Sequence, residues 1–311
     1  MAATPEETLA VEARERPRAG AAAVAAGLLV FVGTLVTTLV FRGTPNDEDR
    51  LISLADALRN RVQTGRPSGP GLTVDQGLAF GEQALPLALG GTLLGVGVLA
   101  ILPALAHLFR ALRARNPDQR PLLLYALVAG TVLTGVGFVV FHIALAVEAA
   151  GLADVRNPTA GLVRETVSGG FPGAGQLLSG IGRIVLAVAI SLIALAAMRV
   201  GLLTRFLGIL GVIVGLLWVV PFDQFAFIRG FWLVALGLLI LQRLPRVVPR
   251  AWSTGRAEPW PTRQELREGR FAASTPAPPD DEDAEPTPAA DERGPTGARA
   301  AGRRRDRRHR S

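Results

Sequence analysis

AGAAAVAAGLLVFVGTLVTTLVF, residues 19–41, runs for 23 residues without a charge. At 1.5 Å per residue a helix of this length measures about 35 Å, enough to cross a hydrocarbon core of roughly 30 Å. A secretory signal peptide has a shorter apolar region and an A-x-A-like cleavage site, so the stretch predicts an uncleaved first membrane span. Residues 1–18 before it are polar. Thr4, Pro5 and Glu7 suit the N-cap, first-turn and N3 places of a capping box, which predicts a short surface helix ending near Arg16.

Five more apolar runs follow: 83–109, with Pro86 and Pro103 near its ends; 122–147; 177–198, which contains Arg183; 206–222; and 225–242, which contains Arg229. The expected fold is therefore all-α, a six-span transmembrane helix bundle over residues 19–242. The last two runs have only 17 and 18 residues, near the short limit for a span. Pro221-Phe222-Asp223-Gln224 between them reads as a tight turn, and a re-entrant pair of half-helices is the alternative. Residues 42–82 form a polar connector. Asn46 can cap an amphipathic helix bearing Leu51, Leu54, Ala55, Leu58 and Val62, RPSGPG at 66–71 breaks the chain, and Thr73 with Gln76 makes a second capping box.

Composition supports this division. The chain has 311 residues, 49% hydrophobic and 19% charged, against about 25% charged in soluble domains. Residues 243–310 hold 15 of the 33 basic and 11 of the 26 acidic side chains, leaving the rest poorer still. A soluble globular protein, a collagen-like fibre and a wholly disordered chain are excluded. Residues 243–311 are rich in proline, alanine and arginine, with too little apolar surface to offset ordering entropy. They read as a largely disordered cytoplasmic tail, with Thr262 and Glu265 able to cap one short helix. Cysteine is absent, which removes disulfides, thiolate metal sites and cysteine nucleophiles. Every basic side chain is arginine; with the alanine, glycine and proline content this points to GC-rich codons and a bacterial source.

Arginine placement sets the expected orientation, because positive residues near span ends stay cytoplasmic. With six spans, 12 arginines fall on the side of both termini, in the N-terminal segment, the 110–120 and 199–205 loops and the start of the tail. Seven fall opposite, in the 42–82 connector and the 150–176 loop. Both termini are expected in the cytoplasm of a bacterial cell (inner) membrane.

RALRARNPDQRP (110–121) is a short basic loop after an apolar span, and RVGLLTRFLGILG (199–211) opens a glycine-rich one. Both resemble uncharacterised multi-pass membrane proteins of actinobacteria and related bacteria, grouped as a domain of unknown function. The likeness covers about residues 83–221. It implies an integral membrane location and carries over no activity and no site residues.

Charges inside a membrane are costly and mark functional candidates. Arg183, Arg229, Glu148 and Asp223 all fall near the expected extracytoplasmic face, with His142 about two turns deeper than Glu148. They can be helix-end ion pairs with snorkelling side chains, or a polar vestibule for a small solute or proton. Gly91 and Gly95, and Gly211 and Gly215, are four apart, a spacing that lets helix backbones approach closely. Trp218, Phe222, Phe225, Phe227, Phe231 and Trp232 gather around the 221–224 turn as an interfacial anchor.

Enzyme motifs are missing. There is no H-E-x-x-H, no glycine two residues before Ser179, and no lysine for a Walker motif. His107 and His142 cannot share a haem, because they sit at opposite ends of antiparallel spans, and a zinc site lacks ligands. No catalytic residue, metal or cofactor is expected. The leading expectation is a non-catalytic structural, assembly or sensing role; the alternative is a small secondary transporter or permeation pathway using Glu148, Arg183, Asp223 and Arg229. At the C-terminus, Arg303, Arg304, Arg305, Arg307, Arg308 and Arg310 are expected to contact anionic lipid headgroups of the bilayer. Nucleic acid is not an expected partner, since no aromatic residue is interleaved for stacking.

Overall fold

The computed structural model describes residues 4–44, 62, 72–220, 222–244 and 248–260, all helical or loop, with no strand among them. The connector helix apart from Val62, the short helix at Thr262 and Glu265, and the arginines at 303–310 lie outside the described residues. Four helical stretches are long and apolar enough to cross a membrane: Pro5–Arg42, Ala84–Arg115, Leu122–Asp154 and Gly170–Arg199. Two shorter apolar helices follow, Arg205–Leu217 and Phe227–Ile240. These lengths and compositions suggest a membrane protein. Large apolar side chains such as Leu28, Leu89, Val132, Val188, Leu216 and Phe231 point outward from the helices, as they do where lipid is the surrounding medium.

Helix α1 (Pro5–Arg42) starts at the capping box read from the sequence. The Thr4 side chain accepts from the Glu7 N–H, and the Glu7 carboxylate accepts from the Thr4 N–H at 2.9 Å. It does not stop at Arg16. It continues through Pro17 into the apolar run as one helix of 38 residues. Pro17 removes one backbone donor, but side chains on the preceding turns tie that part of the helix to the bundle: Glu12 pairs with Arg115 and Glu15 with Arg110.

Helix α2 (Leu72–Glu82) lies ahead of α3 (Ala84–Leu99) and α4 (Ile101–Arg115). The pair α3–α4 is the second apolar run, interrupted at Ala100. Pro103 cannot donate to the Leu99 carbonyl and its ring crowds that turn, which is the cause of the break. Helix α5 (Leu122–Gly151) ends in a 3-10 turn, Leu152–Asp154. The segment read as the 150–176 loop instead contains helix α6 (Ala160–Ser168), capped by Thr159, and the start of α7 (Gly170–Arg199). Val74 of α2, Leu152 and Val163 of α6 bury one another in a small satellite core. Helices α8 (Arg205–Leu217) and α9 (Phe227–Ile240) complete the apolar set.

Packing runs in a ring: α9 on α1, α1 on α3, α3 on α5, α5 on α7, α7 on α8, and α8 back onto α9. Helix α4 fills the ring at one end and touches α1, α5 and α7. Its Ile101, Leu105, Leu108 and Leu112 are wholly buried in the main core with Leu186, Leu236 and Leu239. Arg115, Arg199 and Arg205 mark this basic end of the ring.

Close approach depends on the paired glycines. A Cβ on Gly91 would collide with His142, and one on Gly95 would lie 2.5 Å from Val139 Cγ2, so both face α5. Gly211 faces Ala194 and Trp232, and Gly215 faces Ser191 and Ala187. All four contacts are between helices of the same chain.

Residues 248–260 belong to the same compact unit as the helices. Residues 248–260, including helix α10 (Ala251–Thr254), lie across the basic end. Trp252 is 1% exposed and its Nε1 donates to the Leu202 carbonyl at 2.8 Å. Trp260 Nε1 donates to the Leu203 carbonyl at 2.9 Å, and Glu258 N–H to the Val200 carbonyl at 3.0 Å. Gly201 has φ +78° and lies directly under the Glu258 carbonyl, where both the left-handed backbone and the contact exclude a side chain.

Candidate functional site

Five elements meet where the short helices stop. Helices α8 and α9 have 13 and 14 residues, so each rises only about 20 Å from the basic end. Helix α7 continues past them: Arg183 lies 16 residues before Arg199, about 24 Å along the axis, level with the α8–α9 turn. Phe138 of α5, 16 residues after Leu122, reaches the same height. The C-terminal end of α1 completes the ring there with Thr38, Phe41 and Arg42. Around this step lies a cavity of about 410 Å³, walled by those residues and by Leu217, Trp218, Asp223 and Arg229.

The turn is built to hold Asp223 against α9. Asp223 Oδ2 accepts from the backbone N–H of Arg229 at 3.2 Å and from its Nε at 3.4 Å, while Arg229 Nη2 donates to the Asp223 carbonyl at 2.9 Å. Asp223 is 4% exposed and Arg229 13% at the side chain. The carboxylate thus takes one of the unpaired N–H groups of the first turn of α9, where the helix dipole favours negative charge. Ala226, with φ +57°, sharpens the chain between the two. The Arg229 guanidinium also lies over the Trp218 ring at 5.0 Å.

Two more arginines face the cavity. Arg42 Nη2 donates to Gln224 Oε1 at 2.8 Å, and its guanidinium lies 4.8 Å from the Phe225 ring centre. Thr38 Oγ1 donates to the Gln224 carbonyl at 3.1 Å, fixing the turn to α1. Arg183 lies 5.9 Å from the Phe138 ring centre and close enough to Arg229 for their charges to repel. Among the described residues no carboxylate is paired with Arg183. The indole Nε1 of Trp218 is buried and has no hydrogen-bond partner among the described residues.

A second cavity of about 550 Å³ adjoins the first, sharing Arg183 and Val219. It follows the upper half of α7 past Gly180, Gln176 and Gly173 to Ser168. Nothing lies within 4 Å of where a Gly180 Cβ would stand, so this side is open. Below Arg183 the picture reverses: Leu186 and Ile190 of α7, Val214 of α8 and Leu233 of α9 are at most 1% exposed.

Of the five polar residues singled out from the sequence, Arg183, Asp223 and Arg229 come together and Glu148 and His142 do not line the cavity. Glu148 lies ten residues beyond Phe138, about 15 Å further along α5, with its carboxylate near Gly170 at the start of α7. Arg183 therefore stacks on Phe138 and is not paired with Glu148. His142 is 4% exposed, its Nδ1 is 2.8 Å from the Phe138 carbonyl, and its ring packs edge-on to Phe141 beneath Gly91. Arg42, Gln224 and Thr38 belong to the site and were not singled out. The available signal was Arg42 itself, the one charge at the end of the first apolar run. Trp218 and Phe225 of the aromatic group serve as ring faces for Arg229 and Arg42. No group of three or more metal-ligating side chains occurs among the described residues. Comparison with known protein families, characterised proteins and solved structures gives no match.

Proposed function

We propose that this chain is a multi-pass protein of the bacterial inner membrane. Six helices cross, both termini are cytoplasmic, and the arginine-lined step faces outward as its working surface. The role is sensing or assembly without covalent chemistry. The observation that carries this reading is a charged cavity open along α7 and sealed beneath. Arg183 has no paired carboxylate among the described residues, one wall is open at Gly180, and Leu186, Ile190, Val214 and Leu233 pack the space below. A receptor needs access from one side; a permeation pathway needs it from both.

The arginine bias supports the orientation, since with six spans 12 of the arginines near span ends fall on the side of both termini. Helices α8 and α9 are short for spans, and their turn, about 20 Å from the basic end, leaves the bundle thin on that side with a step below the far interface. The arginines at 303–310 then lie on the cytoplasmic side, where anionic lipid attracts them at about 1 kcal/mol per residue.

The test uses the absence of native cysteine. Reporter fusions after Asn116 and Arg250 are expected to read cytoplasmic and one after Gly161 external. Single cysteines at 183 and 219 are expected to react with a membrane-impermeant maleimide added to intact cells, and to resist the same reagent in inside-out vesicles. A cytoplasmic reading at 161 overturns the topology. Labelling from both sides overturns the receptor reading in favour of the transporter.

A further inference from the structure

We propose that the cavity between Arg42, Arg183 and Arg229 is a binding site for a small oxyanion, a carboxylate or phosphate group. The proposal rests on the step being the working surface of the chain, and names what it takes.

Charge is the first argument. Three guanidinium groups and one carboxylate line the same 410 Å³. Asp223 is committed to Arg229. Arg42 has the amide oxygen of Gln224, which is neutral. Arg183 has an aromatic face and a repelling arginine. Two positive charges remain without a counter-charge among the described residues. Charges at the edge of a low-dielectric medium are stable only when paired or hydrated, and an anion entering between Arg42 and Arg183 supplies the missing charge.

Donor geometry is the second. A guanidinium offers a planar fork that matches two oxygens of a carboxylate or phosphate. The rings of Phe138, Phe225 and Trp218 lie against the three guanidinium groups, which limits their motion and lowers the entropy lost on binding.

Access is the third: the open volume along α7 gives an anion a route in. A cation is repelled by the arginines, and a neutral solute leaves the charge uncompensated.

The same chemistry is offered by a free anion or by the headgroup of an anionic lipid, and the experiment separates them. Full-length protein in neutral detergent is titrated with inorganic phosphate and with acetate, against sodium chloride at matched ionic strength, reading thermal unfolding and tryptophan fluorescence. The protein is also reconstituted in nanodiscs of phosphatidylcholine with and without phosphatidylglycerol. For a free anion, phosphate or acetate raises the unfolding temperature with saturation beyond the chloride control. For a headgroup, only phosphatidylglycerol does. In either case Arg183→Gln weakens the effect tenfold or more. Arg42→Gln, at the exposed end of α1, weakens it severalfold, and Arg164→Gln on α6 leaves it unchanged. If neither soluble anion nor phosphatidylglycerol stabilises beyond the control, or if Arg183→Gln and Arg42→Gln respond like the parent, the site is rejected. Maleimide labelling at position 183 reports sidedness whichever way binding falls, so failure of this proposal leaves the receptor reading separately decided.

Discussion

The indole of Trp252 stacks on the imidazole of His107, with ring centres 5.9 Å apart and planes 12° from parallel. The two residues lie 145 positions apart. Their contact joins helix α4 inside the ring to the segment that crosses its end. Arg16 and Arg115 place guanidinium groups 5.8 and 5.6 Å from the same indole. His107 Nδ1 is held at 3.3 Å from the Glu15 carboxylate, which also pairs with Arg110. The basic end is thus closed by an aromatic pair inside a shell of ion pairs.

Trp252→Ala removes a fully buried side chain, and such changes cost about 3–5 kcal/mol. The expected result is a lower unfolding temperature in detergent and new protease cleavage between Arg250 and Trp260. Trp252→Phe keeps the stack but loses the bond to the Leu202 carbonyl, and should fall between the two. An unchanged cleavage pattern in Trp252→Ala would mean that residues 248–260 are held without it.

Glu12 and Arg115 pair with side chains 6% and 0% exposed, and Arg115 also donates to the carbonyls of Ala111 and Ala251. Removing one partner of a buried pair strands the other charge, at a cost of about 3–5 kcal/mol, whereas replacing both is far milder than the sum. Arg115→Leu is expected to destabilise strongly, and adding Glu12→Leu to it should recover part of the loss. A double-mutant cycle that comes out additive would show that the pair is not coupled.

Gly91 and His142 test whether the glycine spacing serves packing. Gly91→Ala drives a methyl group into His142, and overpacking of this kind costs about 1–3 kcal/mol. In a His142→Ala background the ring is gone, and the same substitution should cost clearly less. Equal penalties in both backgrounds would mean that α3 and α5 shift apart freely.

Periodicity and charge made much of this arrangement readable. The runs at 19–41, 83–109, 122–147 and 177–198 each fall on one of the four long apolar stretches, within a residue at the ends, because an uncharged run of that length has few other stable forms. Arg183, Asp223 and Arg229 stood out for the same reason, as charges in apolar surroundings. What stayed hidden was partnership over long separations. Glu12 finds Arg115 103 positions away, and Arg42 finds Gln224 182 away; neither spacing leaves a local pattern. The span of α1 through Pro17 was hidden because its glutamates look like a solvated face until their arginines are known. Trp252 and Trp260 sat in a segment whose average composition is polar, and an average cannot show that single residues in it are buried. Glu148 was grouped with Arg183, Asp223 and Arg229 by nearness to a common membrane face, but it lies about 15 Å beyond Phe138 along α5.

Ala226 offers the most direct test of how the site is held. It has φ +57° and ψ +27° and is wholly buried, immediately before α9. A left-handed conformation costs an ordinary residue about 1–2 kcal/mol, which glycine avoids; against that, glycine loses about 0.5–1 kcal/mol more chain entropy on folding. Ala226→Gly should therefore be neutral to stabilising by up to about 1 kcal/mol, with the Asp223 bond to the Arg229 N–H intact. Ala226→Val adds a β-branched side chain at the same positive φ, in a place with no free surface, and should lose more than about 1 kcal/mol. The two variants separate the turn from the charges, because neither alters a polar group of the cavity. Thermal unfolding in detergent gives the stability order. Arg229 amide exchange in a solubilised sample gives the local one: protection should persist in Ala226→Gly and fall in Ala226→Val. If Ala226→Gly is markedly less stable than the parent, the left-handed turn is not what brings Asp223 to Arg229.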